Sequence, residues 1–318
     1  MSRPVLIVGA LGQDGRLLAD RLRAADAPVI GIARPGTASP DAPPFPLIAL
    51  DVGDDDAVAA AIAAHRPSRV FYLAAVHHSA EGPPTEPTIL WPAMVRTNCR
   101  GVAAMLRALR RMAPDCRLVF AASSQMYTPD GGDLTVDETT ARRPRTFYGH
   151  TKSWSLDAVA EARAHGLRAG TAILFNHESP LRPPNFLSRK VTRAAAAIRR
   201  GRQHRLAIDN LGGRADWSSA ADVVDALVRM SEGAPDDYVI GSGRLHTVED
   251  LVACAFARVG LDWRDHVDAA RNAPQPAVVA DPRRLTATLG WRPRQDFSAL
   301  IETMVDADLA ALDRSPGT

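Results

Sequence analysis

The stretch Pro4-Val5-Leu6-Ile7-Val8-Gly9-Ala10-Leu11-Gly12-Gln13-Asp14-Gly15 decides the fold. Its apolar run reads as a buried strand. Glycines at 9, 12 and 15 end that run, and a helical pattern carrying Leu17, Leu18 and Leu22 follows at once. Strand, tight turn and helix N-terminus in this order can hold a pyrophosphate. Gly9 permits the turn, Gly12 lets the backbone approach phosphates, and Gly15 lets the helix pack close to the strand. A glycine-rich turn alone is a weak signal, and a merely structural turn is the competing reading. The strand–turn–helix setting favours nucleotide binding.

Outward from this turn, apolar runs at 28–33, 46–50, 69–74, 117–122 and 169–175 alternate with helical patterns over 15–25, 54–65, 90–113 and 148–166. That alternation predicts an α/β fold, a Rossmann-type doubly wound parallel sheet with helices on both faces. The pattern weakens near residue 178, where Pro180, Pro183 and Pro184 interrupt the chain. Beyond it come helical patterns at 185–201, 219–231 and 247–259, short apolar segments at 205–209 and 237–240, and an Arg/Pro-rich tail. The expected organisation is a dinucleotide-binding domain over 1–178 and a smaller α/β substrate lobe over 179–318, with some later segments returning to the first domain.

Bulk composition narrows the function. The chain has 318 residues, 46% hydrophobic and 23% charged, as in an ordinary globular protein. Its net charge of +2 gives no support for a nucleic-acid or membrane-surface partner. Cys99, Cys116 and Cys254 are scattered and read as free thiols. No signal peptide or membrane helix is expected, and a cytoplasmic location follows as the default.

The end of the second strand speaks to the cofactor. An NAD site usually carries an acidic residue there for the ribose 2′-hydroxyl. This chain has Ile32-Ala33-Arg34. A guanidinium suits a 2′-phosphate, so NADP is favoured over NAD, the competing reading being a solvated surface arginine. Asp51 and Val52, after the third strand, are candidates for adenine contact or an ordinary turn.

Tyr148-Gly-His-Thr-Lys152 supplies the chemistry. On a helix, positions four apart share a face. A lysine beside a phenol favours the phenolate, giving an acid/base usable near neutral pH. The preceding strand ends in Ser123 and Ser124, where hydroxyls can orient a substrate oxygen or merely cap the strand end.

With these residues in place the chain resembles the extended short-chain dehydrogenase/reductases, closest to the GDP-mannose 4,6-dehydratases. Carrying the likeness are the turn Gly9–Gly15, Ile173-Leu-Phe-Asn-His-Glu-Ser-Pro180, Asn185-Phe-Leu-Ser-Arg-Lys190, Asp216-Trp217, Gly241-Ser-Gly-Arg-Leu-His246 and Leu289-Gly-Trp291. The resemblance implies a nucleotide-diphosphate sugar, GDP-linked, and a bound NADP that accepts a hydride from C4 of the sugar and later returns one. It implies that Leu11, Gln13, Asp14, Leu73, Ala74, Ala75, Phe175, Asn176 and His177 lie along the cofactor. It sets His78, Asn176, Asn185, Lys190, Arg214 and Arg271 along the substrate. For Lys190 and Asn185 a solvated helix face competes; for His78 and His177 a buried structural histidine does. His77 and His78 lack partners at metal-ligand spacing, so no metal is expected.

The departures matter as much. The family's Thr-x-Glu after the fifth strand is Ser123-Ser-Gln125 here. A serine replaces the threonine hydroxyl, but an amide cannot act as the general acid/base that removes the C5 proton and expels the C6 hydroxyl. The family's Lys-Arg-Asp-Trp is Arg214-Ala-Asp-Trp217, and its Arg-Pro-x-Glu is Arg271-Asn-Ala-Pro274, without the glutamate that would grip a ribose. An Arg-Arg-Ser-Ser run that reaches a neighbouring subunit is missing after the second strand, so a homodimer is expected more readily than a tetramer. The leading expectation is an NADP-dependent oxidoreductase or epimerase acting at C4. The alternatives are 4,6-dehydration with a substitute acid/base from His78 or Glu178 (His150 faces elsewhere on the helix), and a catalytically silent nucleotide-binding subunit.

Overall fold

The computed structural model describes residues 3–37, 42–77, 87–270 and 272–314. The strands are β1 (Val5–Val8), β2 (Val29–Ala33), β3 (Leu47–Ala49), β4 (Arg69–Tyr72), β5 (Arg117–Ser123), β6 (Leu134–Val136), β7 (Arg168–Leu174), β8 (Asn176–Glu178), β9 (Leu206–Ile208), β10 (Arg214–Ser219), β11 (Tyr238–Ile240), β12 (Leu245–Thr247), β13 (Val267–Ala269) and β14 (Val278–Ala280). The α-helices are α1 (Gln13–Arg23), α2 (Asp55–His65), α3 (Pro87–Met94), α4 (Gly101–Met112), α5 (Phe147–Ala164), α6 (Leu187–Arg199), α7 (Ala220–Glu232), α8 (Val248–Arg258), α9 (Arg283–Leu289) and α10 (Phe297–Arg314).

Seven parallel strands form the main sheet in the order β11-β7-β5-β4-β1-β2-β3. The order reverses between β1 and β4, which opens a crevice at their carboxyl ends. Strand alternation sorts side chains between two faces. Leu6, Val8, Val70, Tyr72, Leu118 and Phe120 pack towards α2, α4 and α5. Val5, Ile7, Phe71, Val119 and Ala121 pack towards α1 and α7.

Strand β11 and helices α7 and α9 come from beyond residue 178 yet join this layer, through β7 and through Val223, Leu227 and Leu285. A third core holds α6, α8 and α10 together around Val191, Ile198, Leu251, Phe256, Ile301 and Met304. The β8-β10-β12 sheet and the β6-β14 pair join segments from either side of residue 178, and β9-β13 lies within this third core.

One expectation changes. The helix read over 90–113 is interrupted: α3 runs into a π-helical segment, Val95–Arg100, before α4. This segment carries the buried polar Asn98. The Arg/Pro-rich tail contains α9 and α10. Leu300, Ile301, Met304 and Val305 give α10 one buried face, and Trp291 is buried with its indole N–H donating to Asp222 O at 2.9 Å. Arg264, Arg283, Arg284, Arg292, Arg294 and Arg314 of that region are exposed.

Candidate active site

The glycine turn is built as its chemistry requires. Gly9 has φ of +89°, and a Cβ there would stand 2.8 Å from Ala74 N in the strand-end loop beside it. At Gly15 a Cβ would fall 2.3 Å from Gly9 O, so only glycine lets α1 begin this close to β1. Gly12 caps α1 with no side-chain bond, leaving the first-turn amides to the cleft. This is a cradle sized for a phosphate backbone, and the residues fit a dinucleotide.

A cleft of about 580 Å³ runs from this turn, past Tyr148 and Lys152, to Arg214 and Val248 in the second lobe. Leu73, Ala75, Phe175, Asn176 and His177 line it along with Gln13 and Asp14. Asp14 accepts from the His177 ring at 2.9 Å, and Gln13 bridges Asp14, the His177 carbonyl and the Ser179 hydroxyl. Burial opposes charge on both partners, yet each charge outweighs it for the other: the His177 pKa is raised and that of Asp14 lowered.

Helix α5 carries Tyr148 and Lys152. Thr146 caps it, accepting from Gly149 N–H at 3.0 Å, and its hydroxyl also reaches Gln125 Oε1 at 3.4 Å. Gly149 lies against the Gln125 carbonyl, which brings Tyr148 beside the end of β5. Burial pushes the Tyr148 phenol up to about 12 against a hydrogen bond with Ser123. Lys152 is almost fully buried, donates to Ala121 O at 2.6 Å, and stands 5.7 Å from the Tyr148 ring centre. Its burial pulls it down to about 7. The expected lowering of the phenol by the lysine does not appear; burial dominates, and Tyr148 is a protonated acid at neutral pH in this state.

Asn98 holds this arrangement and is a residue that sequence reading missed. Its carboxamide accepts from Val76 N–H at 2.9 Å and donates to Val76 O at 3.0 Å and Thr151 Oγ1 at 3.1 Å. Ser155 in turn donates to the Asn98 carbonyl. The π-helical turn aims Asn98 between the β4 loop and α5, and among Arg96, Thr97 and Arg100 nothing in the sequence distinguishes it.

The other predicted residues fall as follows. Ser123 and Gln125 line the cleft, whereas Ser124 between them is buried. Leu11 is half-buried within the glycine turn, and Ala74 packs against Gly9. Arg34 is exposed at the end of β2. Asp51 is engaged by Gly53 N–H at 2.9 Å and Arg96 at 2.8 Å, and Val52 belongs to the core. Asn185 is exposed and Lys190 half-buried, and neither is among the described side chains that line the cleft. His78 and Arg271 lie outside the described residues.

Arg214 is oriented by Asp133, at 2.6 and 2.9 Å, and by Gln275 O at 3.0 Å. Arg182 was not anticipated. It stacks on Phe186 at 3.7 Å and ion-pairs with buried Glu178 at 3.2 Å. The Arg182 Nε faces the Glu178 carboxylate, and Arg214 retains a buried Nε–H with no hydrogen bond among the described residues. Two guanidinium groups lining the lobe end of the cleft suit an anionic ligand.

The model of the GDP-mannose 4,6 dehydratase family matches residues 6–304. The chain belongs to this family. GDP-mannose 4,6 dehydratase 1 of Arabidopsis thaliana is 38% identical over 204 residues, which cover 61% of this chain and 55% of that relative. GDP-mannose 4,6 dehydratase 2 of the same plant is 32% identical over 97% of this chain and 87% of its own length. Among solved structures, RMD from Pseudomonas aeruginosa in complex with NADPH superposes with a TM-score of 0.82, at 19% identity, covering 97% of this chain and 99% of that one, which shows the shared fold. Neighbours of this fold hold NADPH or NAD. No described helix is long and apolar enough to cross a membrane.

Proposed function

We propose that this member of the GDP-mannose 4,6 dehydratase family is an NADP-dependent enzyme acting at C4 of a GDP-mannose-type sugar, as a 4-keto reductase, dehydrogenase or epimerase. Bound NADP(H) supplies the hydride or accepts it. The chain supplies the rest. Tyr148 gives its proton to the C4 oxygen or takes one from it. Ser123, hydrogen-bonded to Tyr148, orients that oxygen. Lys152, held by the Ala121 carbonyl, sets the charge beside the phenol and reaches the nicotinamide ribose. The guanidinium groups of Arg182 and Arg214, which line the lobe half of the cleft, support a diphosphate there.

Gln125 carries the reading. It lines the cleft beside Ser123 and hydrogen-bonds with Thr146, where the family's dehydratases have a glutamate. An amide neither takes the C5 proton nor protonates a leaving hydroxyl, and loss of such a group costs about 10²–10⁴-fold. A protonated Tyr148 is the acid that reduction of a ketone needs. NADP over NAD is supported by Arg34 and by the lack of an acid at the end of β2.

The relatives' names favour the second reading, 4,6-dehydration with a substitute acid/base. Mass spectrometry of GDP-mannose incubated with protein and NADP separates the two. Unchanged substrate mass is expected, together with reduction of GDP-4-keto-6-deoxymannose by NADPH. Loss of one water from GDP-mannose would overturn the reading. Gln125→Glu is expected to raise water loss above the wild-type level.

A further inference from the structure

We propose that His77 is an acid/base of this enzyme, moving a proton at a carbon next to C4 of the sugar. The inference rests on the C4 reading above and deepens it. His77 lies on the segment that leaves β4, and Asn98 clamps both backbone groups of the preceding Val76. The imidazole is therefore carried on a fixed backbone. It lines the cleft, its ring centre is 5.8 Å from that of Tyr148, and it stacks on Phe186 at 5.3 Å with 22° between the planes. Tyr148 addresses the C4 oxygen. A ring beside it faces the atoms flanking C4, and these carry the acidic hydrogens once C4 is a ketone.

The step balances without any further reactant. The imidazole takes a proton from C3, and that C–H pair becomes the enolate double bond as the carbonyl pair moves onto the C4 oxygen. Tyr148 hydrogen-bonds this oxygen. The imidazolium then returns a proton to the same face of that carbon, restoring the ketone, and exchange with solvent in between replaces the hydrogen. An ordinary imidazole titrates at about 6.5, suited to taking and giving a proton near neutrality. Gln125 cannot do this. Glu178 also lines the cleft, but it is buried, and its Oε2 already accepts from Ser188 at 2.6 Å and pairs with Arg182.

The test uses the NADP-loaded protein in deuterium oxide with GDP-4-keto-6-deoxymannose. Deuterium at C3 and C5 is read by NMR, and reduction of the same ketone by NADPH is measured in parallel. Wild type is expected to exchange at C3; exchange at C5 instead would overturn the proposal and point to the dehydration reading. His77→Asn and His77→Phe are expected to slow exchange by about 10²–10⁴-fold, far more than they slow reduction. Equal losses of both would assign His77 a structural role and overturn the proposal. So would unchanged exchange in both variants, or its loss in Glu178→Gln instead. Reduction without wild-type exchange refutes the proton transfer alone. Exchange that depends on His77 without reduction refutes the C4 hydride reading alone. Absence of both overturns the two together.

Discussion

At the scale of single residues, the cleft is governed by desolvation as much as by charge. Tyr148 and Lys152 share a helix face, as their spacing predicts, yet burial moves the phenol up to about 12 and the ammonium down to about 7. Burial and the Asp14 charge act in opposite directions on His177, and the charge wins. A group whose pKa is raised on folding contributes stability that is present below its unfolded value and lost as pH rises through its folded value. For Asp14, lowered on folding, the contribution is present above the unfolded value and lost as pH falls through the folded one. The pair is therefore fully charged between the acidic carboxylate range and the raised titration of His177. His177→Gln is expected to lower the melting temperature more at pH 6 than at pH 9. Thermal melts across that range check this, and a difference that grows with pH would contradict it.

At the scale of elements, the π-helical turn between α3 and α4 is the part that sets catalytic geometry from a distance. It places Asn98 where one side chain bonds the β4 loop and α5 together. Removing the carboxamide leaves Val76 N–H and O and the Thr151 hydroxyl without this partner. Asn98→Leu is expected to cost about 1–3 kcal/mol of stability by this mechanism. Because Val76 adjoins His77 and Thr151 adjoins Lys152, turnover should fall more than apparent substrate affinity. Denaturant titration and a separation of kcat from KM test both halves. Pro92 within α3 and the exposed Trp91, stacked on Phe147 at 4.6 Å, show that this region also packs against the start of α5.

At the scale of the whole molecule, the cleft lies between the main sheet and the lobe built on α6, α8 and α10. A ligand bound to the folded state alone stabilises it by about 2.7 kcal/mol at a hundred times its dissociation constant. NADP is expected to raise the melting temperature more than NAD at equal concentration, and Arg34→Ala is expected to narrow that gap. An equal shift from both cofactors in the wild type would remove the case for NADP.

The sequence by itself determined what local chemistry determines. The glycine turn is legible because each glycine answers a steric demand made by neighbours in the chain, as the Gly9 and Gly15 contacts bear out. The Tyr148–Lys152 spacing is legible because one helical turn sets it. The alternating strands of the sheet are legible because two buried faces demand apolar runs. Tertiary structure alone decided the rest. Strands such as β8 and β12 have three residues each and carry too little pattern to be read, and they exist because β10 pairs with both. Arg182 and Asn98 are ordinary polar residues in sequence. They gain their roles because distant segments meet around them, leaving a donor in a cleft or closing a hydrogen-bond set. His77 gains its place by the same cause: the stack against Phe186 is a contact between segments that no spacing along the chain encodes.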